Sequence, residues 1–101
     1  VPVASSKLVL MARHRRRPEA LCTALPDGTG VVLHLDKRCY YPLSKSGVVL
    51  WGLFDGERVV DDDELAEALV LRYRIDREIA RRDVMAFVAR LVAEDILVVV
   101  P

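Results

Sequence analysis

"VVLHLDKRCYYPL", residues 31–43, is the stretch on which the fold turns. Two short β-prone arms flank a polar turn at Asp36, Lys37 and Arg38, and both arms alternate with period two. Val31, Leu33 and Leu35 share one face of the first arm, and Val32 and His34 the other. In the second arm Cys39, Tyr41 and Leu43 alternate with Tyr40 and Pro42, and form the core set. The proline is the oddity. It has no N–H for a ladder, so a strand that carries it belongs at a sheet edge or a bulge. An open edge strand is either a hazard or a place for another chain to pair.

The proline also sets a register. In an antiparallel strand a residue's N–H and C=O leave on the same side, and successive residues alternate. If the missing N–H of Pro42 faces outward, Arg38 and Tyr40 face outward too. Cys39 and Tyr41 then pair inward with the first arm. Side chains follow their own alternation, so Tyr41 and Leu43 belong to an apolar wall and Tyr40 to the opposite face.

Upstream, "ALCTAL" (20–25) reads as a strand closed by "PDGTG", whose Asp27-Gly28 pair is a strong hairpin signal. The result is a three-stranded antiparallel meander with one face to cover. Downstream come three helices. Ser44 is suited to cap "KSGVVLWGLF", which is apolar nearly all round, central to the core, and stopped by Asp55-Gly56. Asp61 with Glu64 three residues on is an acidic capping box, and Val60 can staple to Leu65. Leu65, Ala68, Leu69 and Tyr73 form that helix's expected stripe. The acidic run 61–64 is explained by the helix macrodipole. The third helix runs from Asp76 to about Glu94, with Ile79, Val84, Phe87, Val88 and Leu91 as its apolar stripe and Glu78–Arg82 as an i,i+4 ion pair. A short strand at 97–99 returns to the sheet or packs on the first helix. The order β-β-β-α-α-α-β predicts an α+β domain of winged helix-turn-helix shape.

Residues 1–18 form an N-terminal arm outside a single domain at 19–101. "KLVLMA" could be a strand or a packed arm, and "RHRRRP" reads as a solvated, flexible segment ended by Pro18.

At 101 residues and 52% hydrophobic, the chain has apolar matter for one core. Fifteen basic and fifteen acidic residues cancel, which gives no field to draw it onto nucleic acid or an anionic membrane. The apolar run "ILVVV" is too short to span a bilayer, and no secretory segment opens the chain, so a cytoplasmic location is expected. Cys22 and Cys39, without metal-site spacing, are expected to be reduced and buried. His14 and His34 have no ligating partner at a recognised spacing, so no metal or cofactor is expected.

Taken together, "VVLHLDKRCYYPLSKSGVVLWGLFDGERVVDDDELAEALVLRY" and "DVMAFVARLVAEDIL" resemble the PqqD-like family, the peptide chaperones of ribosomally made, post-translationally modified peptides. The resemblance lies in order and spacing: a hairpin ending in paired tyrosines, a leucine-polar step, Gly and Trp in the first helix, "DG" before the second, and Asp-Val in the third. It covers roughly residues 20–97. Two positions depart from the pattern: Ser44 replaces a frequent Asn, and Asp95 a frequent Gly at the end of the third helix. The proline-rich signature of PqqD proper is missing, so the resemblance does not choose between pyrroloquinoline quinone, lasso-peptide and other pathways.

The resemblance implies a binding module without chemistry of its own. The leader of a precursor peptide would add as a strand to "RCYYPL" and lie in a groove against the third helix, for delivery to a modifying enzyme of radical SAM, protease or cyclase type. The implied contacts are Arg38, Tyr40, Tyr41, Pro42 and Leu43 on the strand with Arg81, Met85 and Val88 on the helix. Met is adaptable at peptide surfaces, and Arg81 could pair with an acidic leader residue.

A rival reading is a winged-helix DNA-binding protein, with Arg74, Arg77, Arg81 and Arg82 at the start of a recognition helix. The interleaved Asp76, Glu78 and Asp83 and the zero net charge argue against nucleic acid. An enzyme built on Cys39 and His34 is disfavoured because their alternation puts them on opposite faces.

Overall fold

A computed structural model describes residues 12–101. Its elements, in chain order, are β1 (Arg13–Arg16), β2 (Ala20–Ala24), β3 (Gly30–His34), β4 (Cys39–Leu43), α1 (Lys45–Trp51), β5 (Val60–Asp61), α2 (Asp62–Tyr73), α3 (Arg77–Ala93) and β6 (Leu97–Val100). The strands form two antiparallel sheets, ordered β2-β3-β4 and β5-β1-β6.

The expected meander is the first sheet. Its opening turn depends on Gly28, whose φ of 91° is a conformation that side chains resist. Asp27 accepts from the Thr29 N–H and hydroxyl, at 3.0 and 2.6 Å, and these bonds hold its carboxyl below the usual range. The second connection differs from the expected three-residue turn. Residues 35–38 lie between the cross-strand partners His34 and Cys39, and Arg38 closes the loop in the left-handed region at φ 54°. That one-residue difference exchanges the faces of the first arm relative to the second. His34, expected to point away from Cys39, shares its face, and Gly30, Val32 and His34 are the buried set of β3. Their partners Tyr41 and Leu43 are half-buried and buried, as the second arm's alternation requires. Leu33 faces out instead, in one cross-strand row with Leu21 and Tyr40. Cys22 is half-buried and Cys39 exposed, both as free thiols, so burial holds for neither in full. Burial pushes the Cys22 thiol up.

The helices begin where their caps direct. Ser44 Oγ accepts from the Gly47 N–H at 3.1 Å, and Asp61 from the Glu64 N–H at 2.8 Å. Asp76 accepts from the Glu78 N–H at 3.0 Å. α1 stops at Trp51, and the chain folds back so that Phe54 joins the core. Gly30 permits β3 to lie close under α1: a Cβ there would be 2.8 Å from Val48 Cγ2. Leu50, Leu65, Leu69 and Leu91 are buried at the centre, each stabilising by about 1.5–3 kcal/mol through burial alone.

The stripes shift slightly from expectation. α2 buries Leu65, Ala66 and Leu69, whereas Tyr73 in its last turn lies beyond the core edge and is exposed. α3 buries Ala80, Val84, Val88 and Leu91, with Phe87 half-buried and Ile79 exposed. The arginines of α3 reach across to α2 instead of along their own helix: Arg77 pairs with Glu67 and Arg81 with Asp63, while Glu78–Arg82 is not among the ion pairs of the described residues.

α3 ends in a Schellman motif. Asp95 adopts φ 61°, its N–H bonds the Val92 carbonyl at 3.0 Å, and the Ile96 N–H bonds that of Leu91 at 2.8 Å. Aspartate fills the glycine position because its short side chain tolerates the left-handed region and is tied to Arg17 at 2.7 Å.

"RHRRRP" departs most from expectation. Residues 13–16 are no solvated segment but the middle strand of the second sheet. His14 is buried beside Asp62, and the Arg16 guanidinium lies 6.0 Å from the Trp51 ring centroid. Local composition gave no sign of this, because β5 and β6 come from distant parts of the chain. The closing strand accordingly joins this second sheet and not the meander. "KLVLM" (7–11) lies outside the described residues. Among the described residues no helix is long and apolar enough to cross a membrane.

Candidate functional site

Among the described residues β4 is the edge of its sheet, so one side of its backbone has no strand partner there. The direction of its groups follows from the far side of β3. The Leu35 N–H bonds the Glu19 carbonyl at 3.0 Å and the Leu25 N–H that of Thr29 at 2.8 Å, so odd-numbered residues of this segment bond toward β2. Alternation turns Gly30, Val32 and His34 toward β4, and their partners Leu43, Tyr41 and Cys39 inward. Tyr40 and Pro42 therefore point outward. A side chain marks this independently: Arg90 Nη2 donates to the Pro42 carbonyl at 3.2 Å.

The second wall is α3. Asp83, Phe87, Arg90 and Glu94 recur at i, i+4, i+7 and i+11, which places them on one helix face. Glu94 accepts from the Tyr41 hydroxyl at 2.8 Å. That bond, helped by desolvation, pushes the Tyr41 pKa up to about 12. Toward the start of α1 this face opens into a cavity of about 350 Å³, walled by Ser46, Gly47, Leu50, Leu69, Phe87 and Arg90 among others. A second hollow of about 590 Å³ shares Ser44, Ser46, Leu69 and Asp83 with it and continues to Tyr73 and Ile75. The groove thus has a hydrogen-bonding edge, a polar rim and apolar depths, which suits an extended peptide with alternating side chains.

The structure brings Arg38, Tyr40, Tyr41, Pro42 and Leu43 together along β4 and its turn. Leu43 is buried in the wall, and Tyr40, 72% exposed, lies on the outer face. Val88 is in the core behind the groove. Arg81 and Met85 are not brought to β4. They lie roughly half a helical turn from Arg90, with Arg81 reaching Asp63 at 3.6 Å. Sequence reasoning missed Asp83, Arg90 and Glu94, and it merged Phe87 into the core stripe. The signal was present as a period of 3.6 starting from Asp83. It was hidden because its charged members read as solvent face.

A family model described as Coenzyme PQQ synthesis protein D (PqqD) matches residues 29–97, well over half of the chain. The chain belongs to the PqqD family. The matched span of this PqqD-family chain opens just before β3 and closes at the start of β6, so it contains both walls of the groove. Two solved structures share the fold. One is TbiB1 in complex with the TbiA(beta) leader peptide, at 26% identity and a TM-score of 0.70, covering 82% of this chain and 93% of that one. The other is lasso peptide synthetase B1 complexed with the leader peptide, at 26% identity and a TM-score of 0.67, covering 84% and 96%. No curated protein matches in sequence. The DNA-binding alternative finds no support in these likenesses. Two of the arginines that suggested it are also engaged with carboxylates of α2.

Proposed function

We propose that this PqqD-family chain binds the leader segment of a ribosomally made precursor peptide and presents it to a peptide-modifying enzyme, without catalysing a step itself. The leader adds as a strand to β4, against Tyr40 and Pro42, with alternate side chains entering the groove lined by Leu50, Phe87 and Arg90. Arg38, Tyr41 and Leu43 complete the strand side. The reading is carried by one observation: among the described residues β4 leaves its outward backbone without a strand partner, in a fold shared with two solved structures that are complexes with leader peptides. The partner enzyme is of radical SAM, protease or cyclase type, and a ribosomal substrate fits a cytoplasmic setting.

Strand addition by a short flexible peptide is expected to give an affinity near micromolar, about −8 kcal/mol. Calorimetric titration tests this with the TbiA(beta) leader peptide and with the leader of any precursor encoded beside this chain. Saturable heat with one-to-one stoichiometry is the expected result. No heat and no competition from either peptide at high micromolar concentration would refute the proposal.

A further inference from the structure

The outward side of β4 offers an incoming strand an incomplete set of partners. Tyr40 presents an N–H and a C=O, whereas Pro42 presents only a C=O. In an antiparallel pair each such residue exchanges two bonds with the residue opposite. A peptide residue opposite Pro42 can give its N–H to the Pro42 carbonyl, but its own carbonyl meets no backbone donor. Shielded between β4 and α3, that carbonyl would be left unsatisfied, which weakens binding.

A side-chain donor is already at this gap. Arg90 Nη2 bonds the Pro42 carbonyl at 3.2 Å, coming from the α3 face that also carries Phe87 and Glu94. A guanidinium has five N–H donors in a planar fork, so one bond to Pro42 leaves others unspent. Arg77 and Arg81 of the same helix are held by carboxylates, but Arg90 forms no ion pair among the described residues.

We propose that Arg90 replaces the donor that Pro42 lacks: when a peptide strand adds to β4, its guanidinium bridges the Pro42 carbonyl and the carbonyl of the peptide residue opposite. This rests on the leader-binding reading above and adds a specificity to it. Only one peptide residue receives a charged side-chain donor, so the Pro42–Arg90 pair fixes the register in which the peptide docks. That residue must keep its own N–H for Pro42, so it is not proline.

A double-mutant cycle tests the pairing, because Pro42→Ala restores the missing backbone N–H. The probe is the tightest peptide selected on the unmutated domain from a displayed library of random linear 20-mers seeded with the TbiA(beta) leader, and shown to protect the Tyr40 amide from exchange. Its affinity is measured for the unmutated domain, Arg90→Met, Pro42→Ala and the double variant, with thermal melts to verify folding. Arg90→Gln repeats the cycle if the Met variant melts early. With Pro42 in place, loss of Arg90 is expected to weaken binding roughly tenfold, as for a hydrogen bond to a charged group. In the Pro42→Ala background the loss should be about twofold or less. Equal losses in both backgrounds would make Arg90 a general charge contact and overturn the proposal. Unchanged or tighter binding without Arg90 would overturn it too, by showing that the guanidinium merely covers the edge. If no peptide protects Tyr40 on the unmutated domain, the leader-binding reading itself fails, an outcome distinct from a cycle without coupling.

Discussion

The Tyr41 hydroxyl donates to Glu94 Oε2 at 2.8 Å and so ties the middle of β4 to the end of α3. It is a bond from the inward-paired residue of the edge strand to the far wall of the groove, and it fixes the groove's width at that point.

Because ionised Tyr41 could not donate to this carboxylate, its pKa stands at about 12 against an ordinary 10.0. The shift is upward, so the stabilising contribution is complete below pH 10 and fades as pH rises through about 12. Tyr41→Phe removes this contribution. In alkaline melts the unmutated domain should lose stability between pH 10 and 12 more steeply than Tyr41→Phe. Parallel curves would show that the bond does not persist in solution.

Asp95 gives a second test, at the other end of the same wall. Its left-handed backbone closes α3, and its carboxylate holds Arg17. Asp95→Gly keeps the conformation and loses the half-exposed pair with Arg17 and a 4.0 Å approach to His34 Nε2, for a change of about 1 kcal/mol. Asp95→Ala loses the pair and keeps a Cβ in the left-handed region without aspartate's tolerance of it, costing about 1–2 kcal/mol. Chemical denaturation ranks the three. An Ala variant as stable as the Gly variant would contradict the Schellman closure.

Arg81→Glu separates the groove from the rest of α3. Arg81 faces Asp63 on α2, half a turn from Arg90. The substitution sets two carboxylates side by side on an exposed surface, and it should lower stability by about 0.5 kcal/mol while leaving peptide affinity unchanged. A several-fold loss of affinity, measured by polarisation with a labelled leader peptide, would return Arg81 to the site.

Much of this architecture is legible in the chain. Alternation within each arm of residues 31–43, the caps Ser44, Asp61 and Asp76, and Pro42 as an edge marker all rest on short-range physics. The structure repeats them. The failures share a cause in long-range pairing. Arg13–Arg16 looked solvated because the arginines outweigh one histidine locally, and only the distant strands β5 and β6 make His14 a core residue. The hairpin's first arm was turned over because a four-residue connection and a three-residue one have nearly the same composition. On α3, the groove face of Asp83, Phe87, Arg90 and Glu94 is set by where β4 packs. The helix alone shows that these four share a face, but not that this face, instead of that of Arg81 and Met85, lies beside β4.

Amide hydrogen exchange at Tyr40 and Tyr41, with and without a bound leader peptide, tests the central claim most directly. In the free domain the Tyr40 amide points outward from the edge and should exchange fast, while Tyr41, paired with Val32, should exchange slowly. Bound peptide should protect Tyr40 and leave Tyr41 slow throughout. A Tyr40 amide that stays fast with the peptide bound, or one already slow while Tyr41 gains protection, would contradict strand addition to β4 in this register.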